Sequence, residues 1–123
     1  MADSRGGIVT DIDNATLKRL HANGVVVVDI RRPDEWKETG VIAGSRLITL
    51  FTDERGRVNP AFMPDFSKTV SPDDAVVIVC RTGSRSSFLA DALARQMRYS
   101  KVYNLRHGIL GWIGAGNEVV ALR

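Results

Sequence analysis

Two short segments of this chain are apolar on every side. Residues 25–28 are four consecutive valines, and the run continues to Ile30 with a single interruption at Asp29; residues 76–79 form the second run and end against Cys80. A strand with one wet face alternates apolar with polar residues, so unbroken β-branched runs describe strands covered on both faces of a parallel sheet. Parallel neighbours need crossover connections, which places helices between them.

The rest of the chain supplies those helices. Asp13 suits the N-cap of a first helix with Leu17, Leu20 and His21 on one face, stopped at Asn23-Gly24. Arg31-Arg32-Pro33 breaks the first valine run, and Pro33 opens a second helix whose first turn carries Asp34 and Glu35 and which Gly40 closes. Residues 44–50 are expected to hold a short strand. Residues 52–74 carry three of the four prolines and read as loop, with a single helical turn at Phe62, Met63 and Phe66 packed as a satellite of the core. From Ser86 onward, Phe88, Leu89, Ala92, Leu93 and Met97 recur at helical spacing opposite Arg95, Gln96 and Arg98. Residues 102–104 add a third strand. The expected fold is one α/β domain over residues 1–123, its ordered core spanning about 8–120, with a central, mostly parallel sheet and helices on both faces.

Composition narrows the function. At 44% hydrophobic and 25% charged residues the chain matches ordinary globular domains, which excludes a disordered or fibrous reading. The net charge of +3 is spread without a Lys/Arg block, so a nucleic-acid partner is not expected. The longest aliphatic run falls far short of the roughly 20 residues that cross a bilayer, so no membrane partner is expected either. The start lacks the apolar stretch of a secretory signal, and the expected location is cytoplasmic. Cys80 is the single cysteine, which forbids an internal disulfide; with only His21 and His107 beside it, no metal or other cofactor is expected.

Chemistry concentrates after the second valine-rich strand. In a parallel α/β sheet ligands collect beyond the carboxyl ends of the strands, and Cys80 stands at such an end. It is followed by Arg81, Thr82, Gly83, Ser84 and Arg85, a turn opening a helix. Gly83 allows a positive φ and the small hydroxyl residues allow tight curvature, so successive backbone N–H groups can converge on one point. The helix N-terminus and two guanidiniums add positive potential. All three effects favour thiolate over thiol and make Cys80 a candidate nucleophile. An inert cysteine would sit among apolar neighbours instead. Trp36 and Trp112 read as packing residues, His107 as exposed, and His21 as part of a helix face without a function.

These residues resemble the rhodanese family of sulfurtransferases, over a span from about Ile8 to Val120. The segment 27–31 looks like the family's aspartate-x-arginine strand end, and Glu35-Trp36 is similar to its glutamate-aromatic helix. Residues 40–45 resemble its glycine-histidine-isoleucine-proline-glycine-alanine turn, and residues 79–86 match the active loop closely. His107-Gly108, followed by Trp112, is similar to the late glycine-glycine and tryptophan signature. Two positions depart: Val41 stands for the usual histidine, and His107 for the first glycine of the pair.

The resemblance implies a two-step transfer of sulfane sulfur through a Cys80 persulfide. The partners it implies are a small anionic donor such as thiosulfate and an acceptor that is a thiol, cyanide or a protein. Arg81 is expected to meet the incoming anion, while Arg85 closes the loop and turns toward Asp29 or Glu35; Thr82 and Ser84 are candidates for hydroxyl contacts. Asp29, Arg31 and Glu35 are expected to support the loop rather than to react. Cysteine-dependent phosphatases separate thiolate and arginine by one residue more, and here position 86 is Ser, so that register does not exist. Thioredoxin-type redox chemistry lacks its second cysteine. From a different class, a rhodanese-like module that binds a partner's acidic segment without turnover also fits a basic loop, although such a scaffold has no need of a nucleophile.

Overall fold

The computed structural model describes residues 7–122. Five strands form one sheet: β1 (Ile8–Ile12), β2 (Val26–Asp29), β3 (Arg46–Leu47), β4 (Ala75–Val79) and β5 (Lys101–Leu105), in the order β1-β5-β4-β2-β3. Every pairing is parallel, so all five carboxyl ends lie along one edge of the sheet. Four helices fill the crossovers, α1 (Asn14–Ala22), α2 (Pro33–Thr39), α3 (Phe62–Thr69) and α4 (Ser84–Arg95), and α5 (Gly108–Gly114) follows the last strand.

The valine runs behave as their composition requires. Along β4, Val76 and Ile78 enter one apolar cluster and Val77 and Val79 the other, while Val28 and Val27 of β2 divide the same way. The first cluster includes Phe62 and Phe66 of α3 with Leu89 and Leu93 of α4; the second includes Leu17 of α1 with Ile109 and Trp112 of α5. The result is a three-layer α/β sandwich. Its local stops are those the sequence announces: the Asp13 carboxylate accepts from the Thr16 N–H at 2.9 Å to cap α1, Pro33 opens α2, and Gly40 ends it at φ 82°.

Two expectations are corrected. The middle stretch contains α3, eight residues long, and its phenylalanines are core rather than satellite: Phe62 stacks on Phe66 and Phe66 meets Tyr99 edge-on, each at 5.4 Å between centroids. Pro64 obscures this helix in the sequence, yet it lies in the first turn, where its missing N–H costs nothing. The apolar face of α4 is also narrower than expected, because Phe88 is 67% and Met97 42% exposed while Ala90 and Ala94 are buried. Small residues rather than the aromatic let α4 lie close to the sheet. β1 and α5 are additions, one an edge strand containing Thr10 and Asp11, the other a helix carrying three glycines.

Candidate active site

Cys80 follows β4, a strand with neighbours on both sides, and the chain then turns through residues 81–83 into α4. The sulfur lies inside this turn. Cys80 Sγ accepts from the Gly83 N–H at 3.1 Å, the Ser86 N–H at 3.3 Å and the Ser86 hydroxyl at 3.2 Å. Ser86 occupies the third position of α4, so one donor is an otherwise unpaired amide of a helix N-terminus, and the helix dipole points the same way.

Gly83 is required on two grounds. Its φ is 103°, and a Cβ there would stand 2.1 Å from the Arg106 carbonyl oxygen. Gly108 is pressed as closely from the other side, with φ 64° and a notional Cβ 2.3 Å from the Arg81 carbonyl oxygen. At the start of α5, the Ile109 and Leu110 N–H groups donate to the carbonyls of Cys80 and Arg81 at 2.9 and 3.1 Å. The loop is therefore clamped between the N-termini of two helices. His107, by contrast, has φ −107° and is exposed, so the departure from glycine falls where no glycine is needed.

Burial runs against the expectation that only an inert cysteine would sit among apolar neighbours. Cys80 is 0% exposed and joins the apolar cluster of Ile30, Ile78 and Leu89. One surrounding reading does not displace the other: the sulfur has apolar neighbours and also three donors.

The two loop arginines divide their tasks. Arg85 makes a two-point contact with Glu35, Nη1 to Oε1 at 2.9 Å and Nη2 to Oε2 at 2.7 Å. Burial opposes the charge on Glu35, but hydrogen bonds from Arg85 and from the Arg32 N–H hold its pKa down at about 2. Arg81 is half exposed, and among the described residues its guanidinium pairs with Glu38 alone, at 3.4 Å between exposed side chains. Thr82 and Ser84 are exposed, and among the described residues neither hydroxyl makes a hydrogen bond within the chain. A cleft of about 570 Å³ opens beside the loop, lined by Arg81, Arg85, Arg32, Arg55, Glu38 and Asp34 among others. A larger groove, about 640 Å³, lies between α1 and α5 near Lys18, His21 and Trp112 and contains no loop residue.

The strand-end residues form a support behind Glu35. Asp29 receives the Arg31 guanidinium, at 2.8 Å at its shortest, the Arg31 N–H and the Trp36 indole N–H. Arg31 is wholly buried and also donates to the Thr39 hydroxyl and to the carbonyls of Glu35 and Gly40. A buried ion pair is tolerable when its remaining polar atoms are satisfied in this way. Among the described residues no cluster of His, Cys, Asp or Glu has metal-binding geometry.

Three residues of the site were not singled out from the sequence: Ser86, Asn104 and Asp11. Ser86 and Asn104 are both buried and in hydrogen-bond contact, and the Asn104 amine reaches Asp11 at 3.0 Å. The serine belongs to the loop match but was given no role of its own. The other two come from strands: Asn104 is brought beside the loop by the parallel pairing of β5 with β4, and Asp11 beside Asn104 by the pairing of β1 with β5.

The family model described as a rhodanese-like domain matches residues 13–115. The chain belongs to the rhodanese-like family. A relative described as a sulfurtransferase, from Allochromatium vinosum, is 34% identical over 116 residues, covering 93% of this chain and 97% of its own. A thiosulfate sulfurtransferase of Arabidopsis thaliana is 28% identical over 109 residues, covering 85% of this chain and 79% of its own. A solved rhodanese-related protein from Thermoplasma volcanium superposes with TM-score 0.70 at 26% identity, over 92% of this chain and 99% of that one. The α/β sheet expected from the valine runs and the three-layer rhodanese fold implied by the resemblance are thus the fold observed. The other departure from the rhodanese pattern, Val41, is buried and exchanges backbone hydrogen bonds with Val120 at 2.7 and 2.9 Å, a structural position.

Proposed function

We propose that this rhodanese-like protein moves a sulfane sulfur from an anionic donor such as thiosulfate, through a persulfide on Cys80, to a thiol or cyanide acceptor. The Cys80 thiolate attacks the donor's outer sulfur; a new S–S bond forms, the donor's S–S bond breaks, and sulfite leaves with the electron pair. The acceptor then takes the outer sulfur and Sγ departs as thiolate. What supports this reading is the convergence of the Gly83 amide, the Ser86 amide and the Ser86 hydroxyl on Sγ, at 3.1 to 3.3 Å. Donors aimed at Sγ favour the thiolate that opens the first step and receive the charge that returns to Sγ in the second. Arg81, beside the nucleophile and paired with an exposed carboxylate, is the residue assigned to the incoming anion. Arg85, fully engaged by Glu35, shapes the loop. Asp29 and Arg31 act behind it, fixing the helix that presents Glu35. A single free thiol working through a persulfide suits a reducing compartment such as the cytoplasm.

The complete burial of Cys80 favours a second reading, a binding module without turnover. Incubation with thiosulfate separates the two. Intact mass should show one added sulfur atom, removed by cyanide and absent in Cys80→Ser. An unmodified mass at every donor concentration would leave only the binding module.

A further inference from the structure

Asn104 of β5 is buried behind the loop, and its side-chain amine has two neighbours that can only accept: the Asp11 carboxylate at 3.0 Å and the Gly83 carbonyl at 3.4 Å. The amide can therefore be placed in one sense only, with its carbonyl toward the Ser86 hydroxyl. Ser86 has a single hydroxyl proton and three acceptors around it: Asn104 Oδ1, the Gly83 carbonyl oxygen and Cys80 Sγ. Sulfur without charge is a weak acceptor, and a carboxylate at the far end of an amide polarises its carbonyl into a better one. The proton accordingly rests on the Asn104 side while Sγ is uncharged.

We propose that Asp11 and Asn104 are positioning residues that hold the Ser86 hydroxyl proton off the sulfur and set how readily it swings to Sγ. This rests on the persulfide reading above. When an acceptor attacks the outer sulfur, the acceptor–sulfur bond forms, the bond from outer sulfur to Sγ breaks, and its electron pair stays on Sγ. Charge develops on the atom that the Ser86 oxygen faces at 3.2 Å, and the hydroxyl must leave Asn104 to meet it. Asp11 is exposed on the edge strand β1, so it can be changed with little cost to the core.

The test is single-turnover discharge of preloaded persulfide into cyanide, followed by intact mass. Ser86→Ala should slow discharge about a hundredfold, the scale of one lost donor to developing charge. Asp11→Ala should accelerate it several-fold, and Asp11→Asn, which keeps an acceptor for the amide, should fall between Asp11→Ala and the parent. In the Asp11→Ala, Ser86→Ala double variant the acceleration should vanish, because the effect passes through the hydroxyl. A merely structural Asp11 would slow discharge or leave it alone. An unchanged rate in Asp11→Ala, or an acceleration that persists without the Ser86 hydroxyl, overturns the inference; a parent protein that never takes up sulfur overturns the persulfide reading instead.

Discussion

Glu35 and Arg85 are fifty positions apart in the chain and meet through two parallel hydrogen bonds of 2.9 and 2.7 Å, joining the first turn of α2 to the first turn of α4. One is a carboxylate favoured at a helix start; the other belongs to the sulfur loop. Their contact ties the loop to the Asp29–Arg31 support, so loop geometry depends on a charge pair as well as on glycines.

That dependence has a pH signature. The Glu35 pKa is depressed from 4.5 to about 2 in the fold, so the pair contributes fully above about 4.5 and loses its contribution as pH falls toward about 2. Glu35→Gln should lower stability by about 2 kcal/mol at neutral pH and by little near pH 2. Urea unfolding across that range reads the difference, and parallel curves for the two proteins would remove the pair from the stability of the loop.

Glycine replacement should sort sharply by position. Gly83→Ala and Gly108→Ala each place a Cβ within 2.3 Å of a backbone oxygen at positive φ, and each should cost several kcal/mol and reduce sulfur transfer at least about a hundredfold. His107→Gly, one residue away, should leave transfer within about twofold. Thermal melts alongside the transfer assay separate unfolding from a misplaced loop.

Arg81→Ala should raise KM for thiosulfate about tenfold with a smaller change in kcat, since the side chain is half exposed and acts on donor capture. The parent's KM should also rise with salt and the variant's less so. A variant whose KM stays at the parent value would leave the donor site without its cation.

Core and surface aromatics should differ in the opposite order to their helical spacing. Phe66→Ala is expected to cost about 3–5 kcal/mol, as for other buried phenylalanines, whereas Phe88→Ala should stay within about 0.5 kcal/mol. Denaturant midpoints measure both, and comparable losses would place α3 outside the core.

Burial of the sulfur predicts selectivity by reagent size. Iodoacetamide should modify Cys80 at least about tenfold faster than a maleimide carrying a large dye, relative to their rates with a free thiol. Equal relative rates would mean that the loop stands open in solution.

Much of this architecture was legible because it depends on local chemistry. The valine runs, the Asp13 cap, Pro33, Gly40 and the loop from Cys80 to Arg85 each carry a signal within a few residues, and each lies where the signal puts it. The losses are non-local. Ile8–Ile12 breaks its apolar run at Thr10 and Asp11, lies at the edge of the sheet and is held by pairing with β5; α5 survives three glycines because Ile109 and Trp112 are buried in the second cluster. Asn104 is a polar residue in an otherwise ordinary strand, and nothing in its neighbours announces that it faces Ser86. Phe88 fits the helical period but falls outside the arc covered by the sheet.

The seal over Sγ also bears on handling in air. A disulfide between two copies requires the paired Cα atoms to approach within about 7 Å, which a residue wholly enclosed by its own fold cannot do without opening. Purified protein should therefore remain free of covalent dimers in the absence of reductant, and burial is what shields the one reactive atom from peroxide, since the chain has no resolving thiol to rescue a sulfenic acid from the irreversible oxidation states.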